Sequence, residues 1–429
     1  MIRHALVSAA ATAAFVLATA APAPAAQPYP VDFHTFDLAS GTTAGLTLSH
    51  GSLTLASRGL ATAAYTDLYA NANGDGVDGS GVYSVGTWTS ATYGPSLPFN
   101  ELVSSWNTKT PVGTWVEVKV RPQLEDGHRA KWYTLGQWAY ADSDFHRTSV
   151  GGQGDADGYV AIDTFFAKDH LAVAYQLQIS LYRRLGSTAS PTVSRLSAVA
   201  SDLRNRKSTF PSRTTMNGQT IDLGVPQYSQ EIHHGEYPQY DNGGEAWCSP
   251  TSTAMVVDYW AKKFPRAGYS PSATETAWVD RAFADPWVDH TARYVYDYHY
   301  NGAGNWPFNT AYAAERGLVA DVTQLHSLRE AEDFIKAGIP LVASIAFTSN
   351  KLADADIKST NGHLAVIVGF TGDGGQVIVN DPASPTDADV KHFYDREEFE
   401  RAWIPASGGI VYVDRPAGWP TPSLTANNS

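Results

Sequence analysis

The sequence is poor in sulfur. Its 429 residues hold one cysteine, Cys248, and three methionines. A single cysteine excludes an internal disulfide and excludes zinc sites that gather several thiolates. Charge is also sparse: 17% of residues are Asp, Glu, Lys or Arg, the formal net charge is −13, and there is no basic run. That balance argues against nucleic acid and against a membrane surface as partners. After the first 25 residues no apolar run approaches the roughly 20 residues that a membrane helix needs. Those first residues read as a signal peptide. Arg3 gives the short basic start, Ala5 to Ala20 the apolar run, and Ala23-Pro24-Ala25 an A-x-A cleavage site. The expected mature protein is secreted and extracellular, and it carries a lone thiol into an oxidising place. Such a thiol is a chemical liability, so its presence asks for a use.

The thiol lies in Gly-Glu-Ala-Trp-Cys-Ser-Pro-Thr-Ser, residues 244–252. Gly243 and Gly244 make the preceding chain flexible, and Pro250 fits a first helical turn. From Ser252 onward the residues are apolar nearly all round. Met255, Val256, Tyr259 and Trp260 share one face, Ala254, Val257 and Ala261 another, and only Asp258 is charged. This pattern predicts a buried helix with Cys248 at its N-terminus. The unpaired N–H groups and the positive dipole end there favour a thiolate, the form that attacks carbonyls. A free cysteine is more often a small buried hydrophobe, but the helix start and the export of the chain favour a nucleophile.

Two domains are expected. Residues 30–201 are short alternating runs broken by Gly, Asn, Asp and Pro. Val116, Val118 and Val120 share a face, as do Tyr175, Leu177, Ile179 and Leu181. Period two with many turns predicts an all-β sandwich, jelly-roll-like. Its tryptophans at 88, 106, 115, 132 and 138 read as core, although exposed ones would stack on sugars. Asn71 to Gly76 and Asp155 to Gly158 read as turns rather than calcium loops. Residues 202–220 are polar and aperiodic and are expected to be a linker. Residues 221–415 mix helix and strand and are expected to be active on their own. Ser327 and Glu330 predict a capping box, Asp395 and Glu398 a second helix cap, and residues 416–429 a flexible tail.

A cysteine nucleophile needs a base. His363 precedes a clean strand, a Thr-Gly-Asp-Gly-Gly turn follows at 371–375, and a second strand ends at Asp381. Placing Gly369 opposite Gly375 puts His363 opposite Asp381, and a slip of two residues leaves them diagonal on one face. Asp381 can then orient the imidazole. An oxyanion needs donors: the Cys248 N–H, and Gln230 with Gln239 as the alternative. The adjacent pair His233-His234 is a poor metal site. No cofactor and no metal are expected.

Residues 221–415 resemble the double-glycine (bacteriocin-processing) peptidase-like domain of the papain-like cysteine peptidases. The resemblance rests on Val-Pro-Gln-Tyr-Ser-Gln (225–230), Trp-Cys-Ser-Pro-Thr-Ser (247–252), Gly-His-Leu-Ala-Val-Ile-Val-Gly-Phe (362–370) and Asn-Asp-Pro-Ala (380–383). It implies an α+β papain-like fold with Cys248 as nucleophile, His363 as base, Asp381 as orienting acid and Gln230 as the oxyanion glutamine. Where that family usually has Gly after the cysteine, Ser249 stands here. The expected function is a secreted cysteine peptidase (a hydrolase) that cuts a peptide or protein substrate through a thioester. The alternatives are a cell-wall peptide amidase or transpeptidase on the same fold, and a non-catalytic protein that contacts carbohydrate or cell wall through its first domain.

Overall fold

In a computed structural model, residues 31–204, 211–349 and 351–424 are described. The signal peptide expected at 1–25 and residues 205–210 of the expected linker lie outside them.

The first half is all-β. Two antiparallel sheets, one seven-stranded and one six-stranded, face each other. The period-two residues form the contact layer: Val116, Val118, Val120, Tyr175, Leu177, Ile179 and Leu181 are all fully buried. Trp88, Trp106, Trp115 and Trp138 are core as well, and only Trp132 remains partly exposed, under Arg121. Asn71 to Gly76 is a turn whose Asp75 meets His146 at 2.9 Å.

The second half is α+β. Helix α1 (Cys248–Lys263) is buried continuously from Ser249 to Trp260, as its apolar circumference requires. It packs against the strand Thr360–Phe370, where Ser252 Oγ donates to Leu364 O at 3.1 Å. That strand is central to a seven-stranded antiparallel sheet. Asp258 is buried with its helix and accepts from Tyr228 Oη at 2.6 Å and from Ser270 Oγ. Helices α2 (Pro286–Val295) and α3 (Trp306–Glu315) follow, then α4 (Leu328–Lys336) and α5 (Arg396–Ser407). Asp395 caps α5 as expected, accepting from Glu397 N and Glu398 N. The expected box at α4 is different. Ser327 makes no side-chain cap, and Glu330 accepts instead from His326 N at 2.9 Å.

The halves share one continuous core. Phe308 of α3 lies against Trp106 and Trp138 of the sandwich, with ring centroids 6.2 and 5.3 Å apart. Around this apolar contact runs a polar seam. Asp321, 0% exposed, accepts from Arg195 Nε and Ser197 Oγ of the sandwich at 2.7 Å and from Arg415 Nη1 at 3.1 Å. Arg147, fully buried, spans the seam from Ala139 O to Arg293 O.

Two segments expected to be loose are packed. Residues 211–220 lie on the second half because α4 buries the carboxylate of Glu332 and needs donors for it. Thr214 Oγ1 and Thr215 N supply them at 2.7 and 2.6 Å, beside Arg396 Nη1 at 2.6 Å. The polarity that reads as linker is thus a donor set, and Met216 beside it is 3% exposed. Residues 416–424 are held by Trp419, whose ring meets Trp260 at 5.0 Å and whose Nε1 donates to Ala337 O at 2.9 Å. Leu424 is buried too.

Candidate active site

Cys248 is the first residue of α1, and Trp247, fully buried, anchors the turn before it by donating from Nε1 to Tyr240 O at 2.6 Å. Gly243 and Gly244 serve close approach rather than flexibility. Gly244 has φ +26°, and a Cβ there would lie 2.5 Å from His233 C and 2.6 Å from Gln230 O. The approach to the thiol is therefore pressed against the turn that carries Gln230. Cys248 is partly exposed, on the wall of a cavity of about 700 Å³.

His363 lines the same cavity. Its partner strand is Gln376–Asn380, paired as Val366 with Asn380, Ile367 with Val379 and Gly369 with Ile378. The expected pairing of Gly369 with Gly375 does not occur. A bulge at Val368 and a longer turn, closed by Thr371 N to Gln376 O, shift the register. Extended past Asn380, this register sets Asp381 opposite Ala365, diagonal to His363 and on one face with it. The contact forms all the same: His363 Nε2 and Asp381 Oδ1 are 2.7 Å apart, both side chains buried. Asp381 also accepts from Tyr394 Oη at 2.8 Å and Ala383 N at 3.0 Å.

Burial opposes charge on both groups, yet the pair prevails. Against desolvation, the carboxylate charge and hydrogen bond of Asp381, with a further contribution from Cys248, push His363 up to about 10. Against its own desolvation, Asp381 is held down at about 2 by His363, Tyr394 and Ala383 N–H. Since Nε2 is bound to Asp381, Nδ1 is the ring nitrogen left for Cys248.

Gln230 is buried beside this group and lines the cavity, whereas Gln239 is exposed and outside it. Gln230 N donates to Pro382 O at 2.8 Å, tying its turn to the segment after Asp381. Both amide hydrogens are engaged, one with Glu231 Oε1 at 2.9 Å and one with Glu245 O at 2.8 Å.

Part of the wall comes from the sandwich: Ile162, Asp163, Thr164 and Phe166. Asp163 accepts from Trp306 N at 2.8 Å across the seam, while burial pushes its carboxyl up to about 7. Asp163, Glu231, Asp241 and Glu245 line the cavity, and among the described residues no Lys or Arg does. Sequence reasoning missed Asp163 and Ile162, because nothing near them in the chain points to a site in the other half. Tyr394, which supports Asp381, carried only the signal of a strand residue 13 positions on. His233 is buried and His234 exposed, so the adjacent pair does not converge.

Residues 222–411 match the family model for the peptidase C39-like family, and residues 32–201 match the model for the peptidase C39 N-terminal domain. No curated protein matches the chain. Among solved structures, it is similar to a C39-like peptidase from Bacillus anthracis, at 16% identity and TM-score 0.28, over 46% of this chain and 97% of that one. It is also similar to a xylan-binding module, at 12% identity and TM-score 0.21, over 40% of this chain and 97% of that one.

Proposed function

Residues 222–411 are a C39-like cysteine-peptidase-type domain set behind a peptidase C39 N-terminal domain, and from that premise we propose that the chain is an active peptidase. The observation that carries the reading is His363, bound through Nε2 to Asp381 and facing Cys248 on the wall of one cavity. In the proposed reaction the Cys248 thiolate attacks the peptide carbonyl carbon. The oxyanion takes hydrogen bonds from the Cys248 N–H and from Gln230 Nε2, once that amide releases Glu231. Collapse breaks the C–N bond. His363 gives its proton to the leaving amine, and a thioester remains. The now neutral His363 takes a proton from water, which attacks the thioester and releases a carboxylic acid and the thiolate. The carboxylate-lined cavity favours peptides with Lys or Arg near the cut bond over peptides with Glu. The proposed place of action is outside the cell, after removal of residues 1–25, a reading supported by Arg3, the Ala5–Ala20 run and Ala23-Pro24-Ala25.

The test is hydrolysis of casein and of paired Lys- and Glu-containing fluorogenic peptides by the mature protein and by Cys248→Ala. The parent is expected to cut casein and to prefer the Lys peptide, and Cys248→Ala to be inert. Equal hydrolysis by both proteins would remove the mechanism.

A further inference from the structure

Behind the Gln230 turn, three side chains that the proposed chemistry does not use converge in the interior. His233 and Glu236 stand in the turn that follows Gln230, and Asp289 stands on the first turns of α2. His233 Nδ1 is 2.7 Å from Glu236 Oε2 and 3.6 Å from Asp289 Oδ2, and one donor atom from each residue lies within 4.8 Å of the others. Among the described residues this is the one group of three such donors. Asp289 is 1% exposed, and neither of its carboxylate oxygens accepts from an N–H or hydroxyl of another described residue; it faces the Glu236 carboxyl and His233 instead. A buried carboxylate without donors is among the costliest groups a fold can hold. Glu332 is supplied by two threonines and Arg396, and Asp321 by two arginines and Ser197. Asp414 shares the lack of donors, but among the described residues only Asp289 has a histidine and a second carboxylate converging on it. Among the described residues no Lys or Arg is paired with Asp289.

We propose that His233, Glu236 and Asp289 bind one divalent transition-metal cation, of which zinc is the probe. Two carboxylates balance its charge, and a neutral imidazole favours zinc or manganese over calcium, which takes oxygen ligands. Three protein donors leave a fourth position for water. The cation fastens the turn after Gln230 to α2, which packs on α1, so it holds the glutamine in register with the Cys248 helix. His234, the sequence neighbour of His233, points away from this group and is exposed. The donors that converge on His233 come from Glu236, three positions on, and from a helix more than fifty residues away.

The experiment uses the mature protein carrying Cys248→Ser, so that the thiol and His363 cannot hold zinc together. After EDTA treatment and removal of the chelator, zinc is titrated calorimetrically, bound metal is counted by mass spectrometry, and melting is followed with and without zinc. One zinc per chain and a higher melting temperature are expected. Adding Asp289→Asn, close in shape, should weaken binding at least 100-fold and abolish the melting shift. His233→Gln replaces it if the near-ultraviolet circular dichroism of the first variant shows a lost fold. Absence of bound zinc in Cys248→Ser overturns the site, as does unchanged binding in a folded Asp289 or His233 variant. The first result would mean that Glu236 and Asp289 share a proton instead. Neither result bears on casein hydrolysis, so the peptidase reading stands or falls separately.

Discussion

The two halves solve burial differently. The sandwich buries mainly alternating apolar residues, and its strands Thr114–Leu124 and Ala172–Arg184 show their inner face in the sequence itself. The C39-like half buries more charged pairs within itself: His363 with Asp381, Glu332 with Arg396, and Asp321 with Arg415, where the sandwich encloses His146 with Asp67. An apolar side chain needs only to be out of water, whereas a buried carboxylate needs particular donors at particular distances. Those donors come from far along the chain, and for Asp321 they come from the sandwich. The half that carries Cys248, His363 and Asp381 is therefore completed by the other.

The most severe way to break this comparison is to separate the halves. A chain beginning at residue 211 would expose Phe308 and leave Asp321 without Arg195 and Ser197. It would also lose the cavity wall at Ile162–Phe166. We expect it to be insoluble, or soluble with casein hydrolysis down at least 100-fold. A soluble fragment with parental kcat/KM would restore the view of an independent catalytic domain. A milder cut is Asp321→Ala. Removing one partner of a buried ion pair typically costs about 3–5 kcal/mol, and Arg195 stays partly exposed to water, so the lower end applies. Urea denaturation of Asp321→Ala within 1 kcal/mol of the parent would show the seam to be dispensable.

A substitution confined to the peptidase half sharpens the contrast. Asp381→Asn keeps the shape but removes the charge that raises His363. We expect a loss of about 10–100-fold in kcat, less than the roughly 10⁴-fold of a related triad. The pH dependence follows from the shifts. His363 is raised from 6.5 to about 10, so its contribution to stability is complete below pH 6.5 and is lost between pH 6.5 and 10. Asp381, lowered from 3.8 to about 2, contributes above pH 3.8 and loses that contribution as pH falls toward 2. The parent should lose melting temperature from pH 7 to 10, and Asp381→Asn should lose less. The basic limb of kcat/KM should move down in the variant. Identical profiles would mean that Asp381 does not govern the charge of His363.

What could be read beforehand divides along the same line. The sandwich core, helix α1 and the shared face of His363 and Asp381 were legible because each rests on local periodicity or on the parity of one hairpin, whereas the meeting of Cys248 with His363 was implied only by the family resemblance. The register of that hairpin was not, since a bulge at Val368 leaves no mark in an apolar strand. The choice between Gln230 and Gln239 was open because both lie in one polar loop, and only packing against Gly244 and Pro382 separates them. Residues 211–220 read as a linker because threonines that satisfy a buried Glu332 look the same as threonines in water. Trp419 was lost in a terminal stretch without periodicity.

The finest test lies where the sandwich touches the cavity. Ile162 sits in the two-residue turn between the strands Gly158–Ala161 and Thr164–Ala167, with φ +58°. A β-branched residue is rarely found there, because Cβ crowds the backbone at a cost of about 1–2 kcal/mol. Asn or Gly would fit the turn without that strain. Nor is the side chain needed for the core, since it is 37% exposed. It does line the cavity. Strain kept at such a position is the mark of a residue retained for contact rather than for folding. Ile162→Gly relieves the strain but frees the unfolded chain, which offsets about 0.5–1 kcal/mol of the gain. The expected net is a stabilisation of at most about 1 kcal/mol, seen as a small rise in melting temperature. KM for the Lys peptide should rise several-fold, with a smaller change in kcat, because the residue lines the cavity on the sandwich side, apart from the strand and helix that carry His363 and Cys248. A lower melting temperature with unchanged KM would make Ile162 an ordinary turn residue, and would return the sandwich to the role of a scaffold that only closes the seam.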